Sequence, residues 1–209
     1  MRNTAISQEV QQSLTPNAVL EDLLDGNKRF INNSLEKVAH LDLVQQTISG
    51  QYPKAVVLSC IDSRVPVEQV FDQAIGDVFV ARVAGNFENI DILGSLEYSC
   101  AVAGSKLIFV LGHESCGAVK AACDGVELGN ITALLDNIMP AVQKSSNEVE
   151  GEKNSSNNAF VAKTVENNVL LTIERIREKS PILADLEKEG KIKIVGGVYS
   201  LQTGEVNML

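Results

Sequence analysis

Ala55-Val56-Val57-Leu58-Ser59-Cys60-Ile61-Asp62-Ser63-Arg64 opens as a continuous apolar, β-branched run and closes as a cluster of chemically capable side chains. An apolar run of this kind marks a strand buried on both faces of a parallel sheet. Leu107-Ile108-Phe109-Val110-Leu111 repeats the pattern, and His113-Glu114-Ser115-Cys116 follows it. In open α/β sheets the carboxyl ends of the strands carry the ligands. Two such runs, each ending in metal-capable residues, bring matched chemistry to one edge of one sheet.

The surrounding chain fits that frame. Residues 1–14 are polar and weakly patterned, so they form an arm or a helix that needs a partner. Thr15 caps a helix that Pro16 begins, and Val19, Leu20, Leu23, Leu24 and Phe30 carry it at helical spacing, with Gly26 a weak interruption. Leu41 to Ile48 reads as a short helix stopped at Gly50, and Pro66 opens another through Phe71. Asp77 to Val83 is the second strand; Ile90 to Val102 is an amphipathic helix closed near Gly104. After the strand from Lys106 to Leu111 comes a helix from about Cys116 to Cys123. Ile131 to Val142 is expected as one helix, kinked or ended by Pro140. Residues 144–158, rich in Ser, Asn and Glu, are expected to be a solvated loop. Val161 to Glu178, a helix from Pro181 and a last strand from Lys191 to Val198 complete the reading. The fold class is α/β: three layers, with a central, mostly parallel sheet of four to five strands flanked by helices. Residues 1–209 are expected to form a single domain with an N-terminal helical arm at about 1–35.

Composition narrows the function classes. The chain has 209 residues, 44% of them hydrophobic and 22% charged, within the range of ordinary globular proteins. Its formal net charge of −9 argues against nucleic-acid partners, whose phosphates it would repel. No apolar run approaches the roughly 18 residues a membrane span needs. The N-terminus lacks the apolar core of a signal peptide, so the cytoplasm is the expected location. A chain of this size needs no disulfide staples, which makes Cys100 and Cys123 expected buried free thiols.

Cys60, His113 and Cys116 offer two thiolates and an imidazole, which suits Zn2+ and leaves one tetrahedral position over. Each residue alone reads as a packed thiol or an ordinary histidine. The His-x-x-Cys pair at a strand-to-helix turn, joined by a cysteine at the end of another strand, makes metal the better account. Asp62 and Arg64 can form a short-range charge-assisted pair beside that site. Asp62 then has two options: it can complete the tetrahedron as a fourth ligand and close the site, or Arg64 can hold it off and leave the position to water. His40, the other of two histidines, reads as an exposed, unspecialised residue.

Cys-x-Asp-x-Arg at 60–64, His-x-x-Cys-Gly at 113–117 and, between them, Gly-Asp-x-Phe-Val-x-Arg-x-Ala-Gly-Asn at 76–86 together resemble a β-class carbonic anhydrase. The likeness extends through Ser95-Leu96-Glu97-Tyr98 and Gly26-Asn27-Lys28-Arg29-Phe30 to Gly197–Gly204, so it covers nearly the whole chain. It implies one Zn2+ per subunit, held by Cys60, His113 and Cys116, with Asp62 as fourth ligand in inactive forms or as partner of Arg64 in active ones. The implied reaction is reversible hydration of CO2 to bicarbonate and a proton by zinc-hydroxide attack, with Asp62 and Arg64 catalytic. Gln51 matches a substrate-binding glutamine of the plant-like branch; Phe79 and Tyr98 match aromatics of the substrate pocket, and Gly117 a backbone N–H near the substrate. Taken alone, these four read as a solvated loop residue, two core aromatics and a helix-start glycine. The other branch of the family closes its site with the aspartate and uses a tryptophan to bind bicarbonate. This chain has Gln51 and no Trp, which implies the plant-like, open-site branch. Val83, where many relatives carry Asn, is a departure. The resemblance also implies a homodimer or homotetramer, with the N-terminal arm crossing to a partner. Two alternatives remain at this point: a CS2 or COS hydrolase on the same fold, and a non-catalytic zinc-stapled interaction module.

Overall fold

A computed structural model describes residues 1–209. Five strands form one sheet in the order β2-β1-β3-β4-β5: β1 Ala55–Ser59, β2 Val78–Arg82, β3 Leu107–His113, β4 Lys193–Tyr199 and β5 Val206–Met208. The first four pair in parallel and β5 returns antiparallel to β4. β1 and β3 are buried along their whole length, as their unbroken apolar runs require.

The period-2 alternation of strand side chains divides the core into two layers. On one face Ala55, Val57, Leu107, Phe109 and Leu111 pack with Val19, Leu23, Val67 and Phe71. Val19 and Leu23 come from α2 (Pro16–Ile31), Val67 from α4 (Val67–Val70), and Phe71 caps the end of α4. On the other face Val56, Leu58, Ile108 and Val110 meet Ile92, Leu96, Val169, Ile173 and Leu183. These belong to α5 (Ile90–Glu97), α9 (Asn158–Lys179) and α10 (Pro181–Lys188). A third cluster gathers beyond the carboxyl ends of the strands, joining Cys60 and Cys116 to Val119, Leu135, Ile138 and Phe160. The three layers and the parallel sheet match the reading from sequence.

Several local expectations change. Gly26 does not interrupt α2; a Cβ there would lie 1.8 Å from the Phe71 carbonyl oxygen, so glycine lets the helix pass close over α4. The polar N-terminus is helical at α1 (Gln8–Ser13) and folds onto its own chain. Gln11, buried, donates from Nε2 to the carbonyls of Pro53 and Ala103, and Arg2 pairs with Asp77. The short helix expected from Leu41 to Ile48 is α3, His40–Gln46.

Ile131 to Val142 is two helices, α7 (Gly129–Asp136) and α8 (Met139–Glu148). Pro140 sits in the first turn of α8, where its missing N–H costs nothing, so it begins a helix instead of ending one. α8 then runs into the segment expected as loop. Ser145 and Ser146 return their hydroxyls to the carbonyls of Ala141 and Val142, and Asn167 of α9 donates to Ser145 Oγ. The helix at 90–102 changes pitch: α5 gives way at Tyr98–Val102 to a π-helical turn. Finally β3 extends to His113, so that histidine is the last residue of the strand.

Candidate metal centre

Cys60 follows directly on β1, His113 ends β3 and Cys116 precedes α6 (Gly117–Cys123). Because β1 and β3 are neighbours in register, Ser59 lies opposite Leu111, and the two loops leave the sheet side by side. The three ligand atoms lie within 4.8 Å of one another and all three residues are buried.

The set fits zinc on its own geometry. Tetrahedral coordination with Zn–S of about 2.3 Å places two sulfurs about 3.8 Å apart; Cys60 Sγ and Cys116 Sγ stand 3.9 Å apart. His113 Nδ1 donates to the Glu114 carbonyl at 2.9 Å, which fixes the tautomer and leaves the Nε2 lone pair free. Nε2 is fully buried and has no hydrogen-bond partner in the chain. An orphaned buried acceptor is costly unless something occupies it. As thiols the two cysteines would share one proton: a Cys116 S–H donated to Cys60 lowers the Cys60 thiol, and the same contact with burial raises Cys116. By contrast, burial pushes the Cys100 thiol up to about 12 and raises Cys123, so these are inert packed thiols.

Asp62 and Arg64 form the second half of the site. Arg64 grips the carboxylate with two parallel bonds, Nε to Oδ1 at 2.9 Å and Nη2 to Oδ2 at 2.7 Å, and its backbone N–H adds a third to Oδ1 at 2.9 Å. These bonds hold the Asp62 carboxyl well below the usual carboxylate range, burial opposing them only in part. Asp62 Oδ2 nonetheless lies 3.8 Å from His113 Nε2, beside the point where the ligand atoms converge.

Three residues that the sequence reading left without a role hold this site. Gly85 donates its N–H to Cys60 Sγ at 3.4 Å. Its φ of +83° and the 2.5 Å that would separate a Cβ from Ile138 Cδ1 both require glycine. Asn168, buried in α9, donates to the Gly85 carbonyl at 2.7 Å. Arg82 donates to the carbonyls of Cys60 and Val65, each at 2.7 Å, and so clamps both ends of the loop that carries Cys60, Asp62 and Arg64. Arg82 and Gly85 belong to the Gly-Asp-x-Phe-Val-x-Arg-x-Ala-Gly-Asn motif; Asn168, in a helix of mixed composition, has no local signal. Val83 is half-buried and packs against the core cluster that includes Cys60, its N–H donating to the Ser59 carbonyl.

The four substrate candidates divide between the two ends of the sheet. Gly117 opens α6 next to Cys116, and a Cβ there would meet only open space. Gln51, Phe79 and Tyr98 share a cleft of about 590 Å³ at the opposite, amino end. Phe79 pairs with Val56, four residues before Cys60, which at ~3.3 Å per residue is about 13 Å along the strand. Phe79 and Tyr98 pack with ring centroids 6.3 Å apart. Within one chain these three residues do not line the metal centre. His40 lies at the start of α3, exposed, as expected.

The family model described as carbonic anhydrase matches residues 55–206. The chain is 34% identical to a carbonic anhydrase of Mycolicibacterium smegmatis, over 92% of this chain and 93% of that protein. It is 32% identical to carbonic anhydrase 2 of Mycobacterium tuberculosis, over 90% of each. Among solved structures, the Coccomyxa β-carbonic anhydrase in complex with acetazolamide superposes with a TM-score of 0.72 at 27% identity, covering 91% of this chain and 86% of that one. The β-carbonic anhydrase CcaA gives 0.70 at 25% identity, covering 90% and 86%. No helix is long and apolar enough to cross a membrane.

Proposed function

This chain belongs to the carbonic anhydrase family, in its β class, and from that premise we propose a zinc-dependent carbonate dehydratase of the plant-like, open-site branch. The observation that carries the reading is the convergence of three buried ligand atoms beside a carboxylate that Arg64 already holds. Cys60, His113 and Cys116 would hold one Zn2+ per subunit, the cysteines as thiolates and His113 through Nε2. Zinc, when bound, would supply a water acidified to a pKa of about 7.

The chain's own residues do the rest. Asp62, ionised throughout the neutral range, accepts a hydrogen bond from the attacking oxygen and aims its lone pair at the carbon of CO2. Arg64 keeps Asp62 in that role and away from the ligand atoms, which supports an open fourth position. The chain's lack of tryptophan and its Gln51 support the same branch. The Gln51 amide donates to a substrate oxygen, Phe79 and Tyr98 give nonpolar CO2 an apolar wall, and the Gly117 N–H faces the same space. The released proton passes to solvent buffer.

Since Gln51, Phe79 and Tyr98 lie at the far end of their own sheet, they serve the metal centre of a second copy. The surface supports such pairing. β2 is an edge strand, and beside it Ile90, Tyr98 and Val102 are 83%, 57% and 71% exposed. A cleft of about 690 Å³ between β2 and α5 is lined mainly by apolar side chains. A two-fold interface makes each contact twice, so one dimer completes two sites, and a homotetramer would pair two such dimers. Each chain is one domain over 1–209, with residues 1–35 as its N-terminal helical arm. Four free thiols support a cytoplasmic location.

Stopped-flow CO2 hydration by the zinc-loaded protein tests the reading. Turnover that rises toward pH 9 supports it, and a rate equal to buffer throughout contradicts it. The same assay with CS2 and COS separates it from a hydrolase on this fold. A closed, non-catalytic zinc module predicts buffer rates with all three gases.

A further inference from the structure

The cleft that holds Gln51, Phe79 and Tyr98 has one charged residue among its lining, Lys106, and no carboxylate. This is unusual in a chain with 27 acidic and 18 basic residues. Several buried or half-buried cations elsewhere are paired with a carboxylate: Lys54 with Asp22, Arg2 with Asp77, Arg29 with Asp72 and Arg175 with Glu88. Lys106 takes part in none of the chain's ion pairs. Its backbone is fixed, with N–H donating to the Lys54 carbonyl and the carbonyl accepting from Lys193, so the stem leaves a rigid strand start. The other polar lining groups are the amides Gln8, Gln12 and Gln51 and the tyrosines Tyr52 and Tyr98. Gln11 stitches the α1 roof to the floor at Pro53 and Ala103.

A cleft with one unpaired cation, several neutral donors and no carboxylate is built for a small oxyanion. CO2 is uncharged and gains nothing from a cation; bicarbonate does. We infer that Lys106 is the bicarbonate-holding cation of this site: it binds the anion that leaves in hydration and enters in dehydration. The inference rests on the reading that Gln51, Phe79 and Tyr98 face substrate. It makes Lys106 a discriminator between the two carbon species rather than a participant in bond making.

The test is product inhibition of CO2 hydration by bicarbonate in the zinc-loaded oligomer, at low and high ionic strength. Lys106→Gln should raise the bicarbonate inhibition constant about threefold to fivefold at low salt, the range of one partly exposed charge pair. Lys106→Arg should restore it, and the ratio of variant to wild-type constants should shrink toward one as screening tightens near ~0.5 M salt. Lys188→Gln, an exposed charge at the end of α10, should leave the constant unshifted. An unchanged constant in Lys106→Gln overturns the inference, and so does an equal shift in Lys188→Gln, which would mean net charge alone. Gln51→Leu separates the two levels. If it lowers turnover while Lys106→Gln does nothing, only the Lys106 assignment falls; if it leaves turnover intact, the placement of substrate in this cleft falls as well.

Discussion

The two ends of the sheet are finished to different degrees. At the carboxyl end the ligands are buried and almost every polar group is used within the chain. Gly85 serves Cys60, the Glu114 carbonyl serves His113, and Arg82 and Arg64 hold the loop between. The Glu114 carboxylate in turn accepts from Ser200 Oγ and the Leu201 N–H, tying the site to the turn after β4. At the amino end Gln51 and Tyr98 are exposed, Lys106 has no counter-charge, and the edge of β2 stands open. One end is self-sufficient around its convergent ligand atoms, and the other presents donors and apolar surface at an open sheet edge. The difference teaches where each kind of substitution should act.

The largest effect belongs to the ligands. Cys116→Ser should lose metal and stability together, because metal-binding energy is also folding energy. Metal content by mass spectrometry and a thermal melt check this, and a fully metallated, stable variant would break the contrast at its strongest point. Next comes Asp62→Asn, which should keep zinc yet lose roughly a hundredfold or more in turnover, the range of a positioned acid–base group. Gln51→Leu should cost about tenfold in kcat/KM, the loss of one substrate hydrogen bond, with metal content and melting temperature unchanged. An equal loss of metal would show that the two ends are not separable.

The smallest effect is one of pH. Arg64 depresses the Asp62 carboxyl, so the pair's stabilisation is complete above the unfolded value of about 3.9 and fades only as pH falls through the lower folded value. The melting-temperature difference between wild type and Asp62→Asn should therefore be constant from pH 5 to 8. A difference that decays within that window would contradict the Arg64 grip.

What the sequence made legible follows the same division. β1 and β3 declare themselves because a strand buried on both faces admits only apolar residues, and the ligands declare themselves because few residue types bind zinc. β5 was not foreseen: Val206-Asn207-Met208 is too short to show a period, and only Val206 is buried. Ser145 and Ser146 suggested loop because their hydroxyls compete with the backbone, yet contacts to Asn167 and the i−4 carbonyls absorb them into α8. Pro140 was read as a stop where it is a start, since a proline before a helix and one inside it look alike until the cap is known. Gln51, Phe79 and Tyr98 could be named through their resemblance to a family. That they lie about 13 Å of strand away from Cys60 depends on register, which no motif encodes.

The claim that the two ends meet only between copies has a direct test. Asp62→Asn and Gln51→Leu chains, each impaired alone, are unfolded together, refolded with zinc and assayed for CO2 hydration. If each site takes its metal loop from one chain and its glutamine from the other, a mixed dimer carries one intact site. The mixture should then recover about a quarter of wild-type activity, as random two-fold pairing requires. Activity no higher than the mean of the two separate variants would contradict the account.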